Sequence, residues 1–172
     1  VVSSADSGAG TLREAIASAE PGDTIVFAES LADQAIALGS TLVIDKNLTI
    51  GDADAALQVI ISGEHAVRIL EVRSGVEVAL GGLALVKGKV EHGDGGAIWN
   101  GGTLTLANCI VNAHYGEVGG AIYNADTGHL TITDSLLGGS QEDSRDTAVV
   151  ILIHHTTTFK VAGGRPGMSM RA

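Results

Sequence analysis

The amino-acid sequence predicts an all-β protein: a single-stranded right-handed parallel β-helix, or solenoid, of about five coils with an amino-terminal capping α-helix. Three observations predict this fold. One glycine-rich motif recurs, short segments alternate apolar and polar residues, and turn residues separate those segments at regular offsets. Glycine supplies 24 of the 172 residues and aromatic residues only 3%, which suits many tight turns around a narrow aliphatic interior.

The recurrence is plainest in the middle of the chain. Residues 95–100 (GGAIWN) return as residues 119–124 (GGAIYN), 24 positions later. The segments that follow, residues 102–111 and 128–137, are offset by 26, and a further step of 26 leads back to Val78. The repeat therefore runs through most of the chain with a period between about 24 and 30.

Each repeat contains a segment with strand-like alternation. Leu104 and Leu106 share one face while Thr105 lies on the other, and Leu130 and Ile132 repeat the pattern. Apolar spacing of 3.6 residues is absent from these segments, which excludes a helical repeat. Strands that recur every 24 to 30 residues with turns between them are typical of a solenoid.

An open solenoid end exposes strand edges and needs a cap. Residues 11–19 predict an amphipathic helix at the amino-terminal end. Thr11 is the expected N-cap, Glu14 completes a capping box, and Leu12 and Ile16 share the apolar face. Pro21 and Gly22 are expected to end this element, after which the first coil begins.

Two regions are predicted. Residues 1–140 form the β-helix with its helical cap, and residues 141–172 form a non-repeating, β-strand-rich segment followed by a flexible tail. The apolar run in this segment is expected to cap the last coil or to pair with its copy in a homodimer, because an exposed apolar strand edge invites pairing. The residues of this association segment are Val149, Val150, Ile151, Leu152 and Ile153.

Charge and hydropathy exclude several classes of function. A formal net charge of −10 repels nucleic acids, and no apolar run approaches the ~20 residues of a transmembrane helix. Cys109 lies in an apolar segment and is expected to be a buried structural residue. The chain starts at Val1 without a basic and apolar leader, so we expect a signal peptide, if the protein has one, to have been removed.

The amino-terminal cap and the repeats resemble a known group of proteins. Residues 10–16 (GTLREAI) and 21–25 (PGDTI) are similar to the cap of bacterial surface proteins that carry a CSLREA motif, although the leading Cys and Ser are missing. The Gly-Gly-Ala-Ile repeats resemble those proteins and the chlamydial polymorphic outer-membrane proteins. The resemblance covers residues 6–140 approximately, and it implies a right-handed β-helix that is secreted or displayed at the cell surface.

Four residues are candidates for a ligand-binding site. His92 and Asp94 in one coil, and His114 and Glu117 in the next, precede the two Gly-Gly-Ala-Ile motifs, so stacking is expected to bring their loops together. The spacing of these residues does not match the ligand pattern of any particular metal. Nothing in the pattern indicates a cofactor or identifies a catalytic residue. Solvated loop side chains are the alternative interpretation.

Trp99 and Tyr123 occupy equivalent positions in neighbouring coils and are expected to stack. We interpret this pair as part of the core, with a sugar-binding face as the alternative. His154 and His155 are adjacent on a predicted strand and point to opposite faces, so one strand cannot chelate a metal with both.

The sequence favours a non-catalytic β-helix of surface-display, adhesin-like or scaffold type that self-associates through its carboxyl-terminal segment. A carbohydrate-binding or polysaccharide-degrading protein that uses the loops around His92 and His114 is the alternative. A third possibility is that residues 141–172 are the rearranged end of a longer protein whose function resided elsewhere.

Overall fold

The computed structural model describes residues 1–54 and 58–138, and the backbone of two short strands at residues 151–153 and 157–159. One α-helix, α1 (Leu12–Ser18), precedes the strands, and a short 3₁₀ turn (Glu29–Leu31) follows the first of them. In chain order the strands are β1 (Thr24–Ile25), β2 (Ala35–Ala37), β3 (Leu42–Ile44), β4 (Leu48–Gly51), β5 (Val59–Ser62), β6 (Leu70–Val72), β7 (Glu77–Gly81), β8 (Leu83–Val86), β9 (Ile98–Asn100), β10 (Thr103–Ala107), β11 (Ile110–Asn112), β12 (Ile122–Asn124), β13 (His129–Thr133), β14 (Leu136–Leu137), β15 (Ile151–Ile153) and β16 (Thr157–Phe159).

These strands form three parallel sheets that run the length of a β-solenoid. Sheet 1 has the order β1-β4-β7-β10-β13-β16, sheet 2 the order β2-β5-β8-β11-β14, and sheet 3 the order β3-β6-β9-β12-β15. Every third strand in sequence is thus a neighbour in space, so each coil contributes one strand to each sheet. The predicted parallel β-helix with an amino-terminal helix is confirmed.

The register between coils matches the offsets read from the sequence. In sheet 1 Leu104 pairs with Leu130 at an offset of 26, and it pairs on its other side with Val78. In sheet 3 Ile98 pairs with Ile122 at an offset of 24. The repeated segments are therefore structural equivalents, one coil apart.

Side-chain alternation along each strand separates an aliphatic interior from a polar exterior. Sheet 1 buries two columns of aliphatic side chains, one of which contains Ile50, Leu80 and Leu106. The outward column between them contains Thr49 and Thr105, which are partly exposed. Because the interior is filled by residues stacked on residues of the same type, each coil supplies the packing surface for the next.

The helix α1 begins and ends close to the predicted limits of 11 and 19. Thr11 is its N-cap, with its hydroxyl accepting a hydrogen bond from the Glu14 amide at 3.3 Å, while the Glu14 carboxylate accepts one from the Gly10 amide. Leu12 and Ile16 are buried in the same core as the first coils. The predicted amphipathic cap is confirmed. No helix in the described part of the chain has the length and apolarity that crossing a bilayer requires.

Two basic side chains attach this helix to the first coil. Lys46 Nζ donates to the carbonyl oxygens of Ile16, Ala17 and Ala19 at 3.2 to 3.3 Å, which satisfies carbonyl groups left unpaired at the helix end. Arg13 donates to the carbonyl oxygens of Ser40 at 2.7 Å and Thr41 at 3.3 Å. It also donates to Asp6 Oδ1 at 2.6 Å, and this hydrogen bond holds the pKa of the Asp6 carboxyl below its usual value. The cap is thus fixed by hydrogen bonds as well as by apolar contact.

The corner between sheets 1 and 2 needs a left-handed backbone in successive coils. Gly82, Asn108 and Asp134 occupy this corner with φ of +63°, +51° and +49°. Glycine adopts this conformation without strain, and Asn and Asp tolerate it better than other residues. This explains why Asp134 can stand where the preceding coil has Asn108.

A ladder of asparagine side chains crosses the interior behind sheet 3. Asn100 and Asn124 are fully buried, and Asn100 Nδ2 donates to Asn124 Oδ1 at 2.6 Å. Asn100 Nδ2 also donates to the His129 carbonyl, and Asn100 Oδ1 accepts from the Gly102 amide. The stacked amides therefore satisfy each other and the backbone of the adjoining turn.

The parallel sheets extend past residue 140, which is the predicted end of the repeats. β15 pairs in parallel with β12, with Tyr123 opposite Leu152, and β16 pairs in parallel with β13. The backbone of Ile151, Leu152 and Ile153 thus continues sheet 3. Val149, Val150, His154 and His155 lie outside the described residues.

We predict that Asn100→Ala lowers the free energy of unfolding by about 2–4 kcal/mol, because it leaves buried amide and carbonyl groups without partners. Urea denaturation followed by circular dichroism measures the change. Asn112→Ala is the matched control: Asn112 is exposed on β11, and its loss should cost less than about 0.5 kcal/mol. Equal effects of the two substitutions would contradict the structural role of the ladder.

Candidate functional site

The loops that carry His92 and Glu117 lie side by side, as the sequence predicts. The Glu117 amide donates to the Gly93 carbonyl at 2.9 Å, and Asp94 forms a parallel bridge with Val118. His92 Nδ1 lies 3.5 Å from Glu117 Oε1, with 90% and 55% of the two side chains exposed. Stacking therefore brings His92, Asp94 and Glu117 to one edge of the solenoid.

This edge does not form a metal centre. Within residues 1–54 and 58–138, no three His, Cys, Asp or Glu side chains are grouped so that they could hold a metal ion. The His92–Glu117 pair is open to water, where such a pair contributes little free energy. The arrangement can offer hydrogen bonds to a ligand from side chains that are open to solvent.

Arg68 binds the backbone of the loop that carries His92 and Asp94, and the sequence did not identify it. Its Nε donates to the Gly95 carbonyl at 3.0 Å and its Nη2 to the Asp94 carbonyl at 2.8 Å, while Nη1 lies 3.8 Å from Glu71 Oε2. Burial lowers the pKa of Arg68, and the charges of Glu71 and Asp94 oppose that shift. An isolated arginine without an equivalent in the next coil gave no repeat signal that could have revealed this role.

His114 lies inside the solenoid and not with the other three candidates. Only 1% of the residue is exposed. Its Nδ1 accepts a hydrogen bond from the Gly88 amide at 2.9 Å, and its Nε2 is 3.0 Å from the Leu85 carbonyl, to which it donates in the matching tautomer. With both ring nitrogens bonded to backbone, His114 connects two coils and has no nitrogen available to a surface ligand.

Burial lowers the pKa of His114 to about 4, although its two backbone hydrogen bonds act in the opposite direction. The imidazole is therefore neutral at physiological pH. Gly88 occupies the equivalent position one coil earlier, and a side chain there would come within 2.8 Å of His114 Nδ1. Glycine at position 88 thus makes room for the ring.

Cys109 is buried, with 1% of the residue exposed, as the sequence predicts. Its Sγ lies 3.5 Å from the Leu80 carbonyl oxygen and 3.4 Å from that of Ala107. Burial raises the pKa of its thiol. A protonated and inaccessible thiol is a poor nucleophile, so Cys109 belongs to the packing of the interior.

Trp99 and Tyr123 are register partners on neighbouring coils, but the interpretation of the pair as core is wrong. Both residues lie at the centre of strands whose flanking residues are buried, and both are only partly buried themselves. Since alternate side chains on a strand point to opposite faces, the two rings lie on the outer face of sheet 3. The buried members of the motif are Ile98 and Asn100, and a preference for aromatic residues over asparagine inside the core led to the wrong assignment.

Comparison with known proteins returned no match: no protein-family model, no curated protein sequence and no solved structure matches this chain. The fold and the surface described above define the chain as a parallel β-solenoid with aromatic and charged side chains on the outside of its third sheet.

We predict that His114 makes the fold less stable in acid. The unfolded chain takes up a proton with a pKa near 6.5 and the folded chain only near 4, so stability is lost as the pH falls between these values and not above them. The full loss is about 3 kcal/mol. Urea denaturation at several pH values measures it.

The matched variants are His114→Gln and His92→Gln. We expect His114→Gln to be less stable at neutral pH but to lose less stability on acidification. His92→Gln removes an exposed histidine and should follow the wild-type pH profile. If His114→Gln kept the wild-type dependence on pH, another group would be responsible for it.

Proposed function

We propose that the protein is a non-catalytic β-solenoid of adhesin-like or scaffold type that joins a second copy through its carboxyl-terminal segment. The observation that carries this proposal is that the side chains best suited to chemistry serve the fold. His114, Asn100, Asn124 and Cys109 are buried, and each contacts backbone or the equivalent residue of a neighbouring coil. They are thereby unavailable to a substrate.

The exposed ionisable groups support the same proposal. His92 and Glu117 form a water-exposed pair, and the described part of the chain contains no cluster that could bind a metal. A hydrolase or lyase needs at least two ionisable groups in an enclosed site with matched pKa values. A surface that binds without turnover needs only shape and hydrogen bonds.

Support for self-association comes from the edges of the sheets. Among the described strands, β14, β15 and β16 are the last members of their sheets and have one neighbour each. The outer edge of such a strand carries backbone groups that can pair with another chain. The association segment, residues 149–153, contains β15, so a second copy would meet the solenoid where its ladder ends.

The resemblance of the cap and repeats to CSLREA-motif and polymorphic outer-membrane proteins supports a secreted or cell-surface location. A solenoid is suited to such a place, because its long lateral faces display side chains in fixed rows.

Carbohydrate binding is the second candidate function, and one specific observation favours it. Two aromatic rings lie on the outside of sheet 3, side by side on neighbouring strands. Large aromatic residues that are left partly exposed on a sheet face are frequent in recognition surfaces. This surface, more than the loop at His92, is where a sugar would be expected.

Light scattering tests the proposed assembly. The full chain should have about twice the monomer mass of 17.4 kDa. A chain that ends at residue 145 should be a monomer that keeps its β-rich circular dichroism, because it lacks the association segment. A chain that ends at residue 162 is the matched control and should remain a dimer.

Truncation at residue 145 also removes β15 and β16 from the ladder, so a full-length variant is needed. Val150→Lys combined with Leu152→Lys places two charges in the association segment and should also give a monomer. A full chain that is monomeric at micromolar concentration, or a doubly substituted chain that stays dimeric, would refute association through this segment.

A further inference from the structure

The outer face of sheet 3 carries two neighbouring aromatic side chains, Trp99 and Tyr123, which we call the platform. The two residues are register partners on β9 and β12, and neighbouring strands lie about 4.8 Å apart. The Trp99 ring lies against the backbone of Gly101, where an added Cβ would come within 2.7 Å of the ring. The indole therefore packs close to the backbone at Gly101, while part of the residue remains exposed.

A polar groove lies near the platform. Its volume is about 620 Å³, within the range of sites for small molecules, and it is open to solvent. The polar and charged side chains that line the groove are Thr41, His65, Arg68, Lys89 and Glu91. Arg68 links the two features, because it lines the groove and contacts Glu71, which is the register partner of Trp99.

The charged groups of this surface are paired. Lys89 Nζ lies 3.2 Å from Glu91 Oε1 in the groove, and Arg73 Nη1 lies 2.9 Å from Glu71 Oε1 beside the platform. Ammonium and guanidinium groups only donate hydrogen bonds and carboxylates only accept them. The surface therefore offers donors and acceptors side by side, with each cation in contact with a carboxylate.

This combination favours one kind of ligand. A sugar hydroxyl both donates and accepts, so it is complementary to paired cations and carboxylates, and the C–H face of a pyranose packs on an aromatic ring. A polyanion is disfavoured by the net charge of −10 and because Glu71, shared by Arg68 and Arg73, and Glu91, beside Lys89, would repel it.

We infer that the groove and the platform together bind a neutral polysaccharide, with sugar rings stacked on Trp99 and Tyr123 and hydroxyl groups bonded to the Lys89–Glu91 and Arg73–Glu71 pairs. This inference rests on the adhesive function proposed above, for which it names the ligand class. It does not require self-association.

The sequence contains its own probe for this site, because Trp99 is the only tryptophan. The full chain is titrated with soluble neutral polysaccharides (a β-glucan, a galactomannan and an arabinoxylan) and with polygalacturonate as the acidic comparison. We expect at least one neutral polysaccharide to change the Trp99 emission saturably. The affinity should be the same at low and high salt, because the ligand carries no charge.

Variants of the platform test the location. Tyr123→Ala should weaken binding about tenfold or more, the loss expected for one stacked ring, and Trp99→Phe should weaken it less because a ring remains. Affinity electrophoresis measures the Trp99→Phe variant, which has no tryptophan emission. Leu136→Ala is the matched control, since it shortens an exposed apolar side chain on sheet 2 and should bind as the wild type does.

Three outcomes would overturn the inference. These are the absence of binding to every neutral polysaccharide, binding to polygalacturonate alone with an affinity that falls with salt, and wild-type affinity in Tyr123→Ala. Light scattering on the same samples separates this result from the scaffold function. A dimer that binds no polysaccharide refutes the ligand class alone, whereas a monomer that binds supports the platform and refutes only the assembly.

Discussion

Register between stacked coils is the constraint on which the rest of the structure depends. Side chains one coil apart lie about 4.8 Å from each other. The residue at each interior position must therefore pack against a residue of the same type in the next coil. Leu104 on Leu130 satisfies this by apolar contact, and Asn100 on Asn124 satisfies it because an amide both donates and accepts. A slip by one residue would turn Thr105 inward and lose every such contact.

The same constraint explains how far the sequence predicts the fold. Interior columns repeat at offsets of 24 and 26, so Leu104, Leu130, Ile98 and Ile122 could be aligned without a structure. The outward position of Trp99 was also encoded, because it alternates with the repeated Asn100. The prediction of Trp99 as a core residue is wrong because asparagine is ordinarily a surface residue. Asn100 is the better interior residue only because its amide can bond the equivalent amide of the next coil.

The loop site was harder to predict because the offset changes inside it. Lys89 is bridged to Tyr115 at an offset of 26, but Asp94 is bridged to Val118 at an offset of 24. The earlier loop is therefore two residues longer. His114 stacks on Gly88, and His92 falls in the longer loop, where it reaches solvent and meets Glu117. Two histidines at similar distances from the same motif thus have opposite environments, and only the coordinates locate the change in offset.

Packing between coils constrains the residue type in the interior columns but not in the outward columns. The interior column that contains Leu104 holds aliphatic residues in successive coils, whereas the outward column of sheet 3 changes at each step, from Val43 to Glu71, Trp99 and Tyr123. Stacking therefore does not demand an aromatic residue in that column. A partly exposed tryptophan adds less stability than a buried one and leaves some apolar surface in water. The two aromatic residues at consecutive steps of this column are therefore the feature that supports the proposal of ligand recognition on this face.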